Sequence, residues 1–275
     1  MPPKSTILFL AATQSEGNLI VQNVLGVSQN FWQTHKAFRI FQLSNFPENI
    51  AVGVTGMGSS ATVGLGSILN LLELDNLSVV GTGFCGGLSK TLRQGDLVCP
   101  EKIVVQGKSP LQPTPWLRHQ LLKYCPLPVA KTLLTSEDIV SQPTQKAAIH
   151  AATEIEAVDM ESALWFQYCV DRNISFASIR SVLDTASDHL PLELSQMVNA
   201  FGDPSYGRIV ARLLQKPVLA LTLYKYRPHR LAQLFASQAK VLREWLNAQR
   251  NQDADKTHKP TIEGKVDKLT LTNPS

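Results

Sequence analysis

Three apolar segments, Ile7 to Ala12, Ile50 to Thr55 and Leu77 to Gly81, punctuate the first third of the chain, and each runs into a polar or glycine-containing loop. Short apolar runs bounded by turn residues read as buried strands. Between them the pattern turns helical, over Asn18 to Val24 after the loop Thr13-Gln14-Ser15-Glu16 and over Ser59 to Leu72 after Gly56-Met57-Gly58. This alternation favours a sheet with helices on both faces. Gly95 to Cys99 and Lys102 to Val105 read as short strands around a turn, 143 to 153 as a helix, Met160 to Arg172 as a helix and Ser175 to Leu183 as one buried strand. Ile209 to Leu223 and Leu231 to Leu246 are helical by periodicity, with breaks at Pro217 and Pro228.

With 275 residues and 44% hydrophobic composition the chain can bury a full core, and residues 1–248 are expected to form one domain. Residues 249–275 are polar and expected to be disordered. The net charge of +4 comes largely from the stretch Arg208 to Arg250. Those basic helices are a solvated face or a surface for peripheral contact with an anionic membrane. Nucleic-acid binding is not expected. Cys85, Cys99, Cys125 and Cys169 are scattered, so neither a metal site nor a disulfide framework is indicated, and a reducing cytoplasm is the default. The apolar start is too short for a signal peptide or a membrane span.

Chemistry is expected where acids meet apolar elements, because a buried carboxylate is costly unless something satisfies it. Asp159-Met160-Glu161 opens an apolar segment, and Asp184 ends the strand through Ser178-Ile179-Arg180-Ser181-Val182-Leu183. Arg180 is expected to pair with Glu161 or Asp159. Two glycine patterns, Gly56 to Ala61 and Gly81 to Gly86, fit a loose dinucleotide template, yet no acid ends the next strand to hold a ribose, and no phosphate-binding GxxxxGK[ST] is present. The start of the helix at Gly56, Gly58 and Ser59 still offers backbone N–H groups to an anion or a polarised water.

Taken in order, Glu16 after the first strand, Thr82-Gly83-Phe84-Cys85-Gly86-Gly87-Leu88, Gln94-Gly95-Asp96-Leu97-Val98, Val158-Asp159-Met160-Glu161 and Arg180 to Asp184 resemble the purine nucleoside phosphorylase and methylthioadenosine/S-adenosylhomocysteine nucleosidase superfamily. The resemblance spans roughly residues 5–190. His189-Leu190-Pro191, Tyr206-Gly207-Arg208 and Arg212 to Pro217 resemble its hopanoid-associated branch, whose implied substrate is an adenosylated triterpenoid. The implied fold is an α/β three-layer sandwich around a mixed, partly closed sheet, and the implied assembly is a homo-oligomer. The implied reaction is cleavage of the N-glycosidic bond of a purine ribonucleoside, without metal or organic cofactor.

The resemblance also implies roles. Glu161 would take the ribose hydroxyls, Met160 would pack under the sugar, and Asp159 would stand near the hydroxyl side. Asp184 would protonate or hydrogen-bond the departing purine, and an acid there, where members acting on 6-oxopurines have Asn, points to an adenine-type base. Glu16 would orient and deprotonate water. Ile139 and Val140, in the loop Ser136 to Val140, would hold the base, with Phe84, Cys85 and Gly86 completing the substrate contacts. Phe84 stands where the family often has a phosphate-contacting Ser, and no Arg lies in Leu77 to Gly83. The expectation is therefore hydrolysis, with phosphate as co-substrate in the alternative and a non-catalytic nucleoside-binding or membrane-surface protein as the alternative of another class. Leu183 replaces a Ser that usually precedes the acid. His189 reads as structural, and Trp165, Phe166 and Tyr168 as packing residues.

Overall fold

The computed structural model describes residues 6–28, 32–43, 49–72, 76–105, 108–126, 129–191, 197–203, 205–216, 224 and 227–257. Its strands are β1 (Thr6–Ala11), β2 (Gln33–Thr34), β3 (Arg39–Leu43), β4 (Asn49–Val54), β5 (Leu77–Gly81), β6 (Phe84–Gly87), β7 (Leu97–Val105), β8 (Ala130–Thr135), β9 (Ala157–Asp159), β10 (Ser175–Ser178) and β11 (Arg180–Asp184). Its helices are α1 (Gln14–Asn23), α2 (Ser60–Leu69), α3 (Pro115–Leu122), α4 (Pro143–Thr153), α5 (Ser162–Val170), α6 (Tyr206–Gln215) and α7 (Pro228–Thr257). The architecture is the expected mixed α/β fold, with its strands divided between an open six-stranded sheet, ordered β10-β5-β1-β4-β3-β2, and a closed barrel, ordered β11-β6-β9-β8-β7.

Two chain segments pass from sheet to barrel side by side. β5 pairs with β10 in parallel within the sheet, and after short breaks β6 pairs with β11 in parallel within the barrel. The second break is a single residue, Ile179, whose N–H bonds to Gly81 O at 2.9 Å. The stretch read as one strand over Ser175 to Leu183 is therefore two, because the chain exchanges neighbours in mid-run while staying apolar throughout. The reverse correction applies to 95–105, where a single strand, β7, replaces two short ones. Its register shifts between Val98 and Lys102, around Pro100, a residue that has no N–H to give a ladder.

Helices pack on these surfaces through apolar faces. Trp165 and Phe166 of α5 and Phe176 of β10 are buried together, with the Phe166 and Phe176 rings edge to face at 5.8 Å. The basic C-terminal helix α7 is no detached surface element: Phe235, Leu242 and Trp245 are buried in the core, Trp245 against Phe9. Its buried Gln238 accepts from Ser181 Oγ and donates to Ile179 O, fastening α7 to the one-residue break between β10 and β11. The helix runs on through Thr257, so the polar stretch expected from residue 249 begins within a helix, and 258–275 lie outside the described residues. The helix expected over Ile209 to Leu223 is α6, and 217–223 also lie outside them. Among the described residues no helix is long and apolar enough to cross a membrane.

Candidate active site

The carboxylates cluster where sheet and barrel meet. Glu16 lies in the first turn of α1, buried, with a capping box fixing its direction. Its Oε2 accepts from Thr13 N at 2.9 Å and from Thr13 Oγ at 3.0 Å, and its Oε1 accepts from Phe84 N at 2.9 Å. A carboxylate has about four acceptor positions, so these three donors leave one for a further proton donor such as water. This answers what the sequence left open, since a first-turn acid can equally face solvent.

Arg180, at the start of β11, is wholly buried and organises the other two acids. Its Nη2 lies 2.9 Å from Asp159 Oδ2 and 3.9 Å from Glu161 Oε2, and donates to Ser162 Oγ at 3.1 Å. Asp159, closing β9, also accepts from Thr135 Oγ at 2.8 Å and from Ser162 N at 3.2 Å. The expected ion pair is thus present, and it falls chiefly to Asp159. The shorter arm of this residue is therefore spent on holding the guanidinium and the start of α5.

Glu161 is the N-cap of α5 but makes no side-chain cap bond to it. Its Oε1 instead accepts from Gly58 N at 3.0 Å. Burial, only partly opposed by Arg180 and added to by the charge of Asp159, pushes its carboxyl up to about 7. One guanidinium serving two acids leaves Glu161 under-neutralised, the condition in which a ligand's hydroxyl groups become valuable partners.

Asp184 ends β11, buried. Burial raises its carboxyl above the ordinary range, and Lys146 of α4 opposes the rise by charge and by hydrogen bond. The sequence reading missed Lys146, because a lysine between Gln145 and Ala147 on a helix looks solvated.

A cavity of about 450 Å³ joins these groups, within the roughly 300–1,000 Å³ usual for small-molecule sites. Glu16, Phe84, Cys85, Gly86, Ile139, Val140, Asp159, Met160, Glu161 and Asp184 all line it. The glycine loop does not come in as expected: Met57 lines the cavity, whereas Gly56, Gly58 and Ser59 do not, and the Gly58 amide is occupied by Glu161. Sequence reasoning missed Thr13, Met197, Ile209 and Leu231, which also line the cavity. Phe84 packs edge to face on Phe235 of α7, with ring centres 6.1 Å apart. Burial pushes the Cys85 thiol far up, so it is an inert wall and no nucleophile. Among the described residues the lining holds five carboxylates and no lysine, arginine or histidine, and no group of three or more His, Cys, Asp or Glu is placed to hold a metal.

Barrel, sheet and carboxylate-lined cavity accord with an enzyme of the nucleosidase and nucleoside phosphorylase class, which the family model shows. The chain belongs to the phosphorylase superfamily, whose family model matches residues 6–216. Among solved structures it is similar to the 5′-methylthioadenosine/S-adenosylhomocysteine nucleosidase of Helicobacter pylori, at 15% identity and TM-score 0.65 over 89% of this chain and 99% of that one. The Neisseria meningitidis nucleosidase, in complex with methylthio-immucillin-A, gives 17% identity and TM-score 0.64 over 89% and 99%. Futalosine hydrolase of Helicobacter pylori gives 15% and 0.64 over 89% and 98%. No curated protein matches the chain in sequence.

Proposed function

We propose that the protein hydrolyses the N-glycosidic bond of an adenine-type ribonucleoside bearing an apolar 5′ group, releasing free base in the cytoplasm. Glu161, aided by Met160, holds the ribose, with Asp159 fixing Arg180 beside it. Asp184 relieves the negative charge that grows on the departing base. Glu16, with one acceptor position to spare, orients and deprotonates water. The stabilisation is aimed at charge that develops only as the bond breaks, which is what lowers a barrier.

The observation that carries water over phosphate is the charge of the lining, with five carboxylates and no cationic side chain among the described residues. A phosphate dianion ordinarily needs Arg or Lys beside it. Met197, Val198, Ile209 and Leu231 add apolar wall from the C-terminal part of the chain, which supports a methylthio or larger lipid-like 5′ substituent over a charged one. The superfamily membership and the similar structures, two nucleosidases and a futalosine hydrolase, support the same reaction class.

The test is to incubate the purified protein with methylthioadenosine, S-adenosylhomocysteine, adenosine and inosine, with and without phosphate, and score free base and sugar product. Adenine and free ribose sugar without phosphate are expected. A strict phosphate requirement with a sugar 1-phosphate product overturns the hydrolytic reading. Adenine release lost in Asp184→Asn and Glu161→Gln excludes a non-catalytic scaffold, whereas silence on every nucleoside favours one.

A further inference from the structure

Among the residues of α4, Lys146 is the buried one, with no exposed surface, and it does not line the cavity. Its Nζ bonds Asp184 Oδ2, Thr185 O at 2.8 Å and Asp188 O at 3.0 Å. The two carbonyls can only accept, and so they take two of its N–H groups. A single proton is left to lie between Nζ and the Asp184 carboxyl, whichever of the two carries it. The pair therefore enters the low-dielectric interior neutral as a unit, its carboxyl held at one oxygen from behind and open to the cavity in front.

We propose that Lys146 is a positioning residue for the reaction: it fixes the orientation of Asp184 and sets how readily Asp184 carries charge. The proposal rests on the assignment of Asp184 to the leaving base, and it names the partner through which that assignment works. Three observations bear on it. Lys146 takes no part in the Asp159, Glu161 and Arg180 cluster, so its burial is unexplained by that cluster. Nothing in the packing of α4 calls for a charged residue at the one position that is buried. The other titratable groups acting at Asp184 are Asp188, whose charge raises it, and the neighbouring Cys85 thiol, so Lys146 is the cation that counters burial there. Its two carbonyl contacts also tie the turn after β11 to α4, which keeps the carboxylate from swinging out of the cavity wall.

Removing the charge has a definite consequence. A buried acid stripped of its counter-ion holds its proton more tightly, commonly by a unit or more of pH. The decisive measurement is a ¹³C NMR titration of the aspartate Cγ resonances, with Asp184 assigned by its loss in Asp184→Asn. In Lys146→Met, and in Lys146→Gln, which keeps N–H donors without the charge, the Asp184 midpoint moves up by about one unit or more. An unchanged midpoint in either folded variant overturns the proposal.

Kinetics separate a positioning role from a merely structural one. On methylthioadenosine, Lys146→Met lowers kcat by about tenfold or more at nearly constant KM, displaces the pH profile, and costs nothing further when added to Asp184→Asn, because general acid assistance is the step lost in both. Additive losses in the double variant overturn the proposal. Should Asp184→Asn release adenine at full rate, the assignment of Asp184 to the leaving base fails, while the titration still decides whether Lys146 governs Asp184.

Discussion

The Cβ that residue 83 lacks would lie 2.3 Å from Glu16 Oε1 and 3.2 Å from Arg180 Nη1. Gly83 also has φ +114°, a backbone conformation that side chains resist. Gly83→Ala therefore meets both strain and the Glu16 carboxyl, which must give way. It is expected to cost about 1–3 kcal/mol of stability from the backbone alone, and to lower base release far more than that loss explains, as Glu16 turns away. Urea unfolding together with the base-release assay checks both parts, and a fully active Gly83→Ala would contradict them.

Glu161 ties stability to pH. Its folded carboxyl titrates at about 7 against 4.5 for an unperturbed glutamate. Between these values the folded chain keeps a proton that the unfolded chain releases, so stability falls as pH rises through the window, by about 3 kcal/mol in all. Urea midpoints at pH 5 and pH 8 should differ more in the wild type than in Glu161→Gln. Equal differences would refute the assignment.

Arg180→Met leaves Asp159 and Glu161 buried without their shared cation. Breaking such a group from one side is expected to cost about 3–5 kcal/mol, whereas a change that also neutralises Asp159 should recover part of it. Thermal or urea denaturation of Arg180→Met and of Arg180→Met/Asp159→Asn tests the coupling.

Glu16→Gln retains size but sets its NH2 against a donor, Thr13 N or Phe84 N, and cannot take a proton from water. A fall of about 10²-fold or more in kcat for base release is expected, with KM nearly unchanged. Activity close to wild type would move the base elsewhere.

Much of the fold is visible in the chain because its signals are local. β5 coincides with the apolar run Leu77 to Gly81, and α4 begins at Pro143, a residue suited to a helix start. β9 escapes a periodic reading, since Ala157–Asp159 is only three residues long. The division of β10 from β11 is invisible for a different reason: both halves are apolar, and only the partner strand changes. The acids of the cavity stand out because a carboxylate beside an apolar element is costly, and that cost is legible. Lys146 and the apolar wall at Met197, Ile209 and Leu231 depend on contacts between distant parts of the chain. The basic character of the last helix is equally plain in sequence, but its buried face at Val241, Leu242 and Trp245 emerges only in contact with α1 and β1.

The side-by-side passage of β5 into β6 and β10 into β11 has a bearing on folding. Because alternate strand residues face opposite ways, a slip of one residue between the paired segments would turn Arg180 from Asp159 and leave both charges buried alone. The alignment that assembles the cavity is also the one in which the ions meet, so the charge cluster disfavours a misaligned chain.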